Sequence, residues 1–209
     1  MVKMGLIDEL LRLKKSDVSG VVDKRLAEFK RLDEGSNNDI FKELCFCILT
    51  ANFNAEKSII IQRELGDGFL FLSENELADK LRRLGHRYPN TRAKYIVYAR
   101  RFKDSLRDVI GSLSGERLRE WFVKYLKGLG YKEASHFLRN IGFEDYAIID
   151  FHVVDLLVKH GLVVKPKTMT KMRYLEIERV LKVVAEKAGF TLAELDLYLW
   201  FMETGKVLK

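Results

Sequence analysis

Apolar residues recur at three- and four-residue intervals along almost the whole chain. The stretches LIDELLRL (6–13), VVDKRLAEF (21–29), IFKELCFCIL (40–49), AEKSIIIQREL (55–65) and RAKYIVYARRF (92–102) all carry this spacing. It matches one face of an α-helix turned toward a core. No alternating apolar–polar run persists, so the chain reads as all-α, with roughly nine to eleven helices. Helix boundaries are marked as well. Ser73 with Glu76 and Thr191 with Glu194 have capping-box spacing. Asn38, Asn54, Asn90 and Ser114 are candidate N-caps, and Gly66, Gly142, Gly161 and Gly205 are candidate stops. The stretch KHGLVVKPKTMTKM (159–172) is the most linker-like. The opening MVKMGLIDELLRLKK has charges within its apolar pattern, so it reads as an amphipathic helix and not a leader peptide.

Composition narrows the class. The 209 residues are 47% hydrophobic and 32% charged, which suits a folded domain with a substantial core. No apolar run is long enough for a membrane span. Cys45 and Cys47 lie two apart in an apolar helical run and point in different directions, so they read as buried small hydrophobes. Two cysteines are also too few for a four-cysteine iron–sulfur or zinc site. A reducing, cytoplasmic compartment follows, associated with the nucleoid if the cell is prokaryotic. The net charge of +7 favours a polyanionic partner.

One stretch raises a sharper question. WFVKYLKGLGYKEASHFLRNIG (121–142) reads as helix, tight turn, helix. Gly128 and Gly130 admit backbone conformations closed to other residues, and Leu129 between them can plug the gap between the helices. The second helix then opens with exposed N–H groups, a natural seat for a phosphate. The same residues also make an ordinary connector with glycine caps.

Spacing separates the two readings. Leu126-Lys127-Gly128-Leu129-Gly130-Tyr131-Lys132 resembles the helix-hairpin-helix of the endonuclease III superfamily of DNA repair glycosylases. In that superfamily an aspartate follows just before another helix. Here Asp150 lies in AIIDFHVVDLL, 18 residues after Lys132, an interval similar to that of the bifunctional members. Lys127 stands where the superfamily usually has proline, and the iron–sulfur cysteines are absent. Within the superfamily the chain most resembles the small type-2 8-oxoguanine DNA glycosylase/AP lyases. The likeness spans most of the chain, including ILTANFNAEKSI (48–59), RYPNTRAKYIVYARRF (87–102) and the closing LWFMETGKVLK (199–209).

The resemblance implies an all-α, two-lobed helix-hairpin-helix glycosylase fold without an iron–sulfur cluster. Residues 1–209 form one catalytic unit. Residues of about 55–145 make a central lobe containing the hairpin 121–142, and 1–54 join 146–209 in the second lobe. It implies excision of 8-oxoguanine from duplex DNA, then strand cleavage at the abasic site by β-elimination through a lysine Schiff base. The base must first leave the stack. Lys132 is the implied nucleophile, placed where a helix N-terminus disfavours the ammonium. Asp150 is its implied partner for proton transfer and charge stabilisation, and it also suits an N-cap. Gly128, Leu129 and Gly130 would grip phosphates, while Asn52 contacts the opposite base and Phe53 wedges into the stack. Trp200, which also fits a core position, and Lys209 would set base specificity.

Double-stranded DNA containing 8-oxoguanine is the implied partner, for a monomeric enzyme that needs no cofactor, with a monovalent cation at the hairpin carbonyls as an option. The basic stretch LRRLGHRYPNTRAKYIVYARRFK offers Arg82, Arg83, His86, Arg87, Arg92, Lys94, Arg100, Arg101 and Lys103 as phosphate contacts, interleaved with Tyr88, Tyr95 and Tyr98. Two other readings share these features: the same chemistry on another lesion such as an oxidised pyrimidine, or a helix-hairpin-helix module that binds DNA without catalysis.

Overall fold

A computed structural model of the chain describes residues 4–209; Met1 to Lys3 of the expected first helix lie outside the described residues. Among the described residues all regular structure is helical, with no strand. The helices are α1 (Met4–Lys14), α2 (Val18–Asp33), α3 (Asn37–Thr50), α4 (Ala55–Leu65), α5 (Gly68–Phe71), α6 (Glu74–Arg83) and α7 (Pro89–Ala99). A 3-10 turn (Arg100–Ser105) follows, then α8 (Leu106–Ser112), α9 (Gly115–Tyr125), α10 (Tyr131–Asn140), α11 (Phe151–Lys159), α12 (Lys171–Ala188) and α13 (Leu192–Thr204). Short elements such as the four-residue α5 raise the number above expectation, because they are too brief to show a period.

Capping chemistry sets several boundaries as expected. Ser73–Glu76 and Thr191–Glu194 form reciprocal capping boxes, and Asn54 caps α4. Two expected caps fall inside helices. The start of α3 goes to Ser36, boxed with Asp39, which leaves Asn38 in the first turn. Pro89 opens α7, its fixed φ suiting a first helical position, and carries Asn90 inward.

The chain forms two compact units: the described residues up to Lys30 with Gly142–Lys209, and Arg31–Ile141. The first boundary thus falls well before the expected residue 54. The reason lies in α3, whose Ile40, Phe41, Leu44, Cys45, Phe46, Cys47, Ile48 and Leu49 are all buried. A helix apolar on every face needs neighbours all round, and α4, α5, α7, α8, the 3-10 turn and α10 supply them.

In the other unit α1 packs on α12 and α13, and α13 also on α11 and α12. Lys14 closes that bundle at one end. Its Nζ donates to the Gly189 carbonyl at 2.8 Å, sits 4.4 Å from the Phe190 ring centroid and pairs with Glu194 at 3.6 Å.

Candidate active site

The hairpin is built by α9, a short turn and α10. After α9 the chain turns at Gly128, whose φ is +87°. That angle alone favours glycine, and a Cβ there would overlap the Tyr95 ring, with Cε2 only 2.8 Å away. Gly130 is different. Its φ of −90° and ψ of −171° are extended and open to any residue, so the expectation of special dihedrals at both glycines holds only for Gly128. Leu129 between them is buried, as a plug should be. The Gly130 N–H does not face outward for a phosphate; it donates to the Glu133 carboxylate at 3.1 Å.

A buried network locks α9 to α10. Arg119, only 2% exposed, donates to Glu116 at 2.5 Å and to the Ser135 hydroxyl at 3.2 Å. Its guanidinium lies 5.1 Å from the centroid of the Tyr131 ring, and the Tyr131 hydroxyl donates to Glu116 at 2.9 Å. Tyr131 immediately precedes Lys132, so the network fixes the first turn that carries the lysine. Lys132 itself is half-buried.

Asp150 belongs to the other unit. The segment Ala147–Ile149 leading to it is buried and non-helical, and Tyr174 of α12 pins it. The Tyr174 hydroxyl donates to the Ala147 carbonyl at 2.7 Å and accepts the Ile149 N–H at 3.2 Å. Two buried backbone groups, three residues and one residue before Asp150, are thereby satisfied. Asp150 is the N-cap of α11, its carboxylate accepting the Val153 N–H at 3.0 Å. Next to it Phe151 stands 66% exposed, and His152 pairs with Glu203 at 3.3 Å. The Trp200 ring meets His152 edge-on at 6.0 Å, half-buried, with its indole N–H buried and without a hydrogen-bond partner among the described residues. Lys209 is half-buried and engaged in contacts.

The loop after α3 is rigidly supported. Asn52 at its exposed tip has φ +55°, rare outside glycine but tolerated by asparagine. Phe53 is half-buried, its ring centroid 4.1 Å from that of His86. His86 and Arg92, grouped above with phosphate contacts, are instead buried supports of this loop. The His86 Nε2–H donates to the Leu49 carbonyl at 3.0 Å, and Nδ1 accepts the Tyr88 N–H at 3.0 Å. An accepting Nδ1 fixes the neutral tautomer with its proton on Nε2. Arg92 donates to the Ala51 carbonyl. Two α3 C-terminal carbonyls are thus capped by side chains, which the apolar pattern alone could not reveal.

Burial lowers the His86 pKa and the Arg92 charge adds to this, against the opposing pull of the Leu49 carbonyl. Above about pH 6.5 His86 is neutral both folded and unfolded. As pH falls below that value the unfolded chain takes up the proton first, so folded stability is lost. Thermal unfolding of the wild type is therefore expected to decline more steeply between about pH 7 and 5 than that of His86→Gln. Parallel declines would clear His86 of this role.

Among the described residues no three His, Cys, Asp or Glu side chains gather as metal ligands, and no helix is long and apolar enough to cross a membrane. Residues 22–190 match a family model described as 8-oxoguanine DNA glycosylase. The chain is 55% identical over 206 residues to the 8-oxoguanine DNA glycosylase/AP lyase of Korarchaeum cryptofilum, covering 98% of each. It is similar to the crystal structure of the Methanocaldococcus jannaschii 8-oxoguanine glycosylase/lyase in complex with 15mer DNA containing 8-oxoguanine. There the TM-score is 0.94 at 51% identity, with 98% of this chain and 99% of that one covered. The 8-oxoguanine DNA glycosylase of Thermotoga maritima gives a TM-score of 0.94 at 47% identity, covering 99% of each.

Proposed function

Because the chain belongs to the 8-oxoguanine DNA glycosylase family, we propose that its two helix starts, at Lys132 and at Asp150, carry the reaction of that family. The chain is an 8-oxoguanine DNA glycosylase and AP lyase. What supports the assignment most is near-complete coverage at 55% and 51% identity to relatives bearing that name.

In the proposed reaction the unprotonated Nζ of Lys132 attacks C1′. The C1′–N9 bond breaks, and the base departs with the bonding pair and takes up a proton. Asp150 stabilises the positive charge developing on the sugar and accepts a proton from the amine. Opening of the C1′–O4′ bond, with O4′ taking up the proton that Asp150 accepted, leaves a protonated imine between Nζ and C1′. Loss of a proton from C2′ to water then expels the 3′-phosphate, and water hydrolyses the imine to free Lys132. Amine, carboxylate and water balance every step.

Around this centre, the turn at Gly128, Leu129 and Gly130 bears on phosphates of double-stranded DNA. Asn52, at the tip of its loop, meets the base opposite the lesion. Phe53 wedges into the stack, with His86 behind it as a stiffener. Trp200 stacks on the extruded base and Lys209 reads it.

The test compares release from duplexes carrying one 8-oxoguanine, one thymine glycol or one abasic site, for wild type and Lys209→Ala. The 8-oxoguanine duplex is expected to be preferred over thymine glycol. The substitution is expected to slow 8-oxoguanine release more than abasic cleavage. Preference for the oxidised pyrimidine would overturn the substrate, and equal losses would make Lys209 only structural.

A further inference from the structure

The turn that carries Lys132 also holds a cation on its outer side. Lys127, at the position where the superfamily usually has proline, places its Nζ 4.4 Å from the ring centroid of Tyr98. The Arg101 guanidinium lies 3.8 Å from the same centroid, and its Nε donates to the Tyr98 carbonyl at 3.3 Å. Tyr98 is half-buried, while both cations are exposed. Among the described residues no carboxylate pairs with either of them.

Two positive groups drawn to one ring repel each other. The ring quadrupole offsets part of that repulsion, by about 0.5–1 kcal/mol per exposed cation. An anion lying across both would remove the rest. Some exposed cations have such relief already, as Arg173 has from Glu176 and Lys165 from Asp155. Lys124 also faces a ring, that of Tyr125 at 5.1 Å. It lies in the last turn of α9, however, where the helix dipole already accounts for a cation. Lys127 lies beyond the end of α9 and has no such account.

The location names the anion. Tyr95 packs against Gly128, and Tyr98, one turn further along α7, takes Lys127, so the cation pair is continuous with the turn itself. We propose that Lys127 and Arg101, seated on Tyr98, form a second phosphate site. It binds a phosphodiester of the strand held by the hairpin, next to the one at the turn. This rests on the reading of the hairpin as a DNA-backbone grip.

The test measures affinity for an undamaged duplex against salt concentration. Wild type is compared with Arg101→Gln/Lys127→Gln, with Arg101→Lys/Lys127→Arg, and with Lys80→Gln as a remote exposed cation. Each phosphate contact contributes about 0.9 to the slope of log affinity against log salt. The neutralised double variant is expected to lose about 0.9 of that slope, one phosphate being shared by both cations. The charge-keeping double variant and Lys80→Gln are expected to stay near wild type.

Single neutral methylphosphonates are then placed along either strand. One position is expected to weaken wild type and leave the neutralised variant indifferent. An unchanged slope in the neutralised variant, or no such position, would overturn the second site. If inorganic phosphate shifts the Lys127 and Arg101 signals in NMR spectra while no methylphosphonate position is singled out, the site takes free phosphate and the proposal falls. Absence of salt-dependent binding by wild type would instead overturn the backbone-grip reading itself, so the two failures are distinct.

Discussion

Lys132→Gln is expected to yield no covalent adduct when borohydride is added to the protein with an 8-oxoguanine duplex, under conditions where wild type is trapped. An amide nitrogen is not a nucleophile toward C1′, and no imine can form on it. Glutamine is one atom shorter than lysine but shares its helix preference, so α10 has no reason to unravel. Lys132 makes no hydrogen bond or ion pair with another described residue, and its replacement leaves no partner stranded. Stability is therefore expected to change by no more than about 0.5 kcal/mol. Duplex binding persists, and base release and strand cleavage fall to background. An adduct of wild-type yield with the variant would show that another amine carries the reaction. Asp150→Asn is the informative companion, because asparagine caps a helix about as well as aspartate. The α11 cap is kept while the charge and the proton acceptor are lost, and turnover is expected to fall by about 10²–10⁴-fold.

Gly128→Ala should be the most disruptive small change in the hairpin, and Gly130→Ala among the mildest. At Gly128 the left-handed backbone costs a non-glycine residue about 1–2 kcal/mol. Overlap of the new Cβ with the Tyr95 ring adds about 1–3 kcal/mol, as overpacking does. The melting temperature of a chain this size shifts by about 2–4 °C per kcal/mol, so a loss in the range of about 4–20 °C is expected. At Gly130 the backbone is already open to alanine. The nearest obstacle, 3.2 Å from the added Cβ, is the far end of the Glu133 side chain. There the change is expected to stay within about 1 kcal/mol. Thermal unfolding and abasic-site cleavage of the two variants side by side make the comparison. Equal effects would mean that the turn does not depend on the positive φ at Gly128.

The legible parts of this chain are those with a local signature. Helix periodicity, three of the caps, the hairpin spacing and the interval to Asp150 can be read within windows of a few turns. The rest depends on partners distant in sequence. Nothing near Tyr174 announces that it pins the backbone leading to Asp150, since the contact spans 25 residues and more. His86 and Arg92 read as basic surface because a sequence displays a charge but not the carbonyl that receives it. Gly130 sits in a glycine-rich turn without needing glycine's freedom, so composition overstated its role. The first unit boundary was hidden for a related reason: α3 lies in the middle of its unit although it is near the start of the chain.

The contacts of α7 link the Asn52 loop to the hairpin. Arg92, in its first turn, holds the carbonyl of Ala51, and Tyr95, three residues on, fills the space that Gly128 leaves. A helix neither stretches nor shortens, and three residues of it rise about 4.5 Å. The Asn52 loop and the hairpin are therefore both seated on one rigid helix. On the roles proposed for them, adaptation toward a new opposing base at the Asn52 loop is expected to disturb the phosphate register at the hairpin.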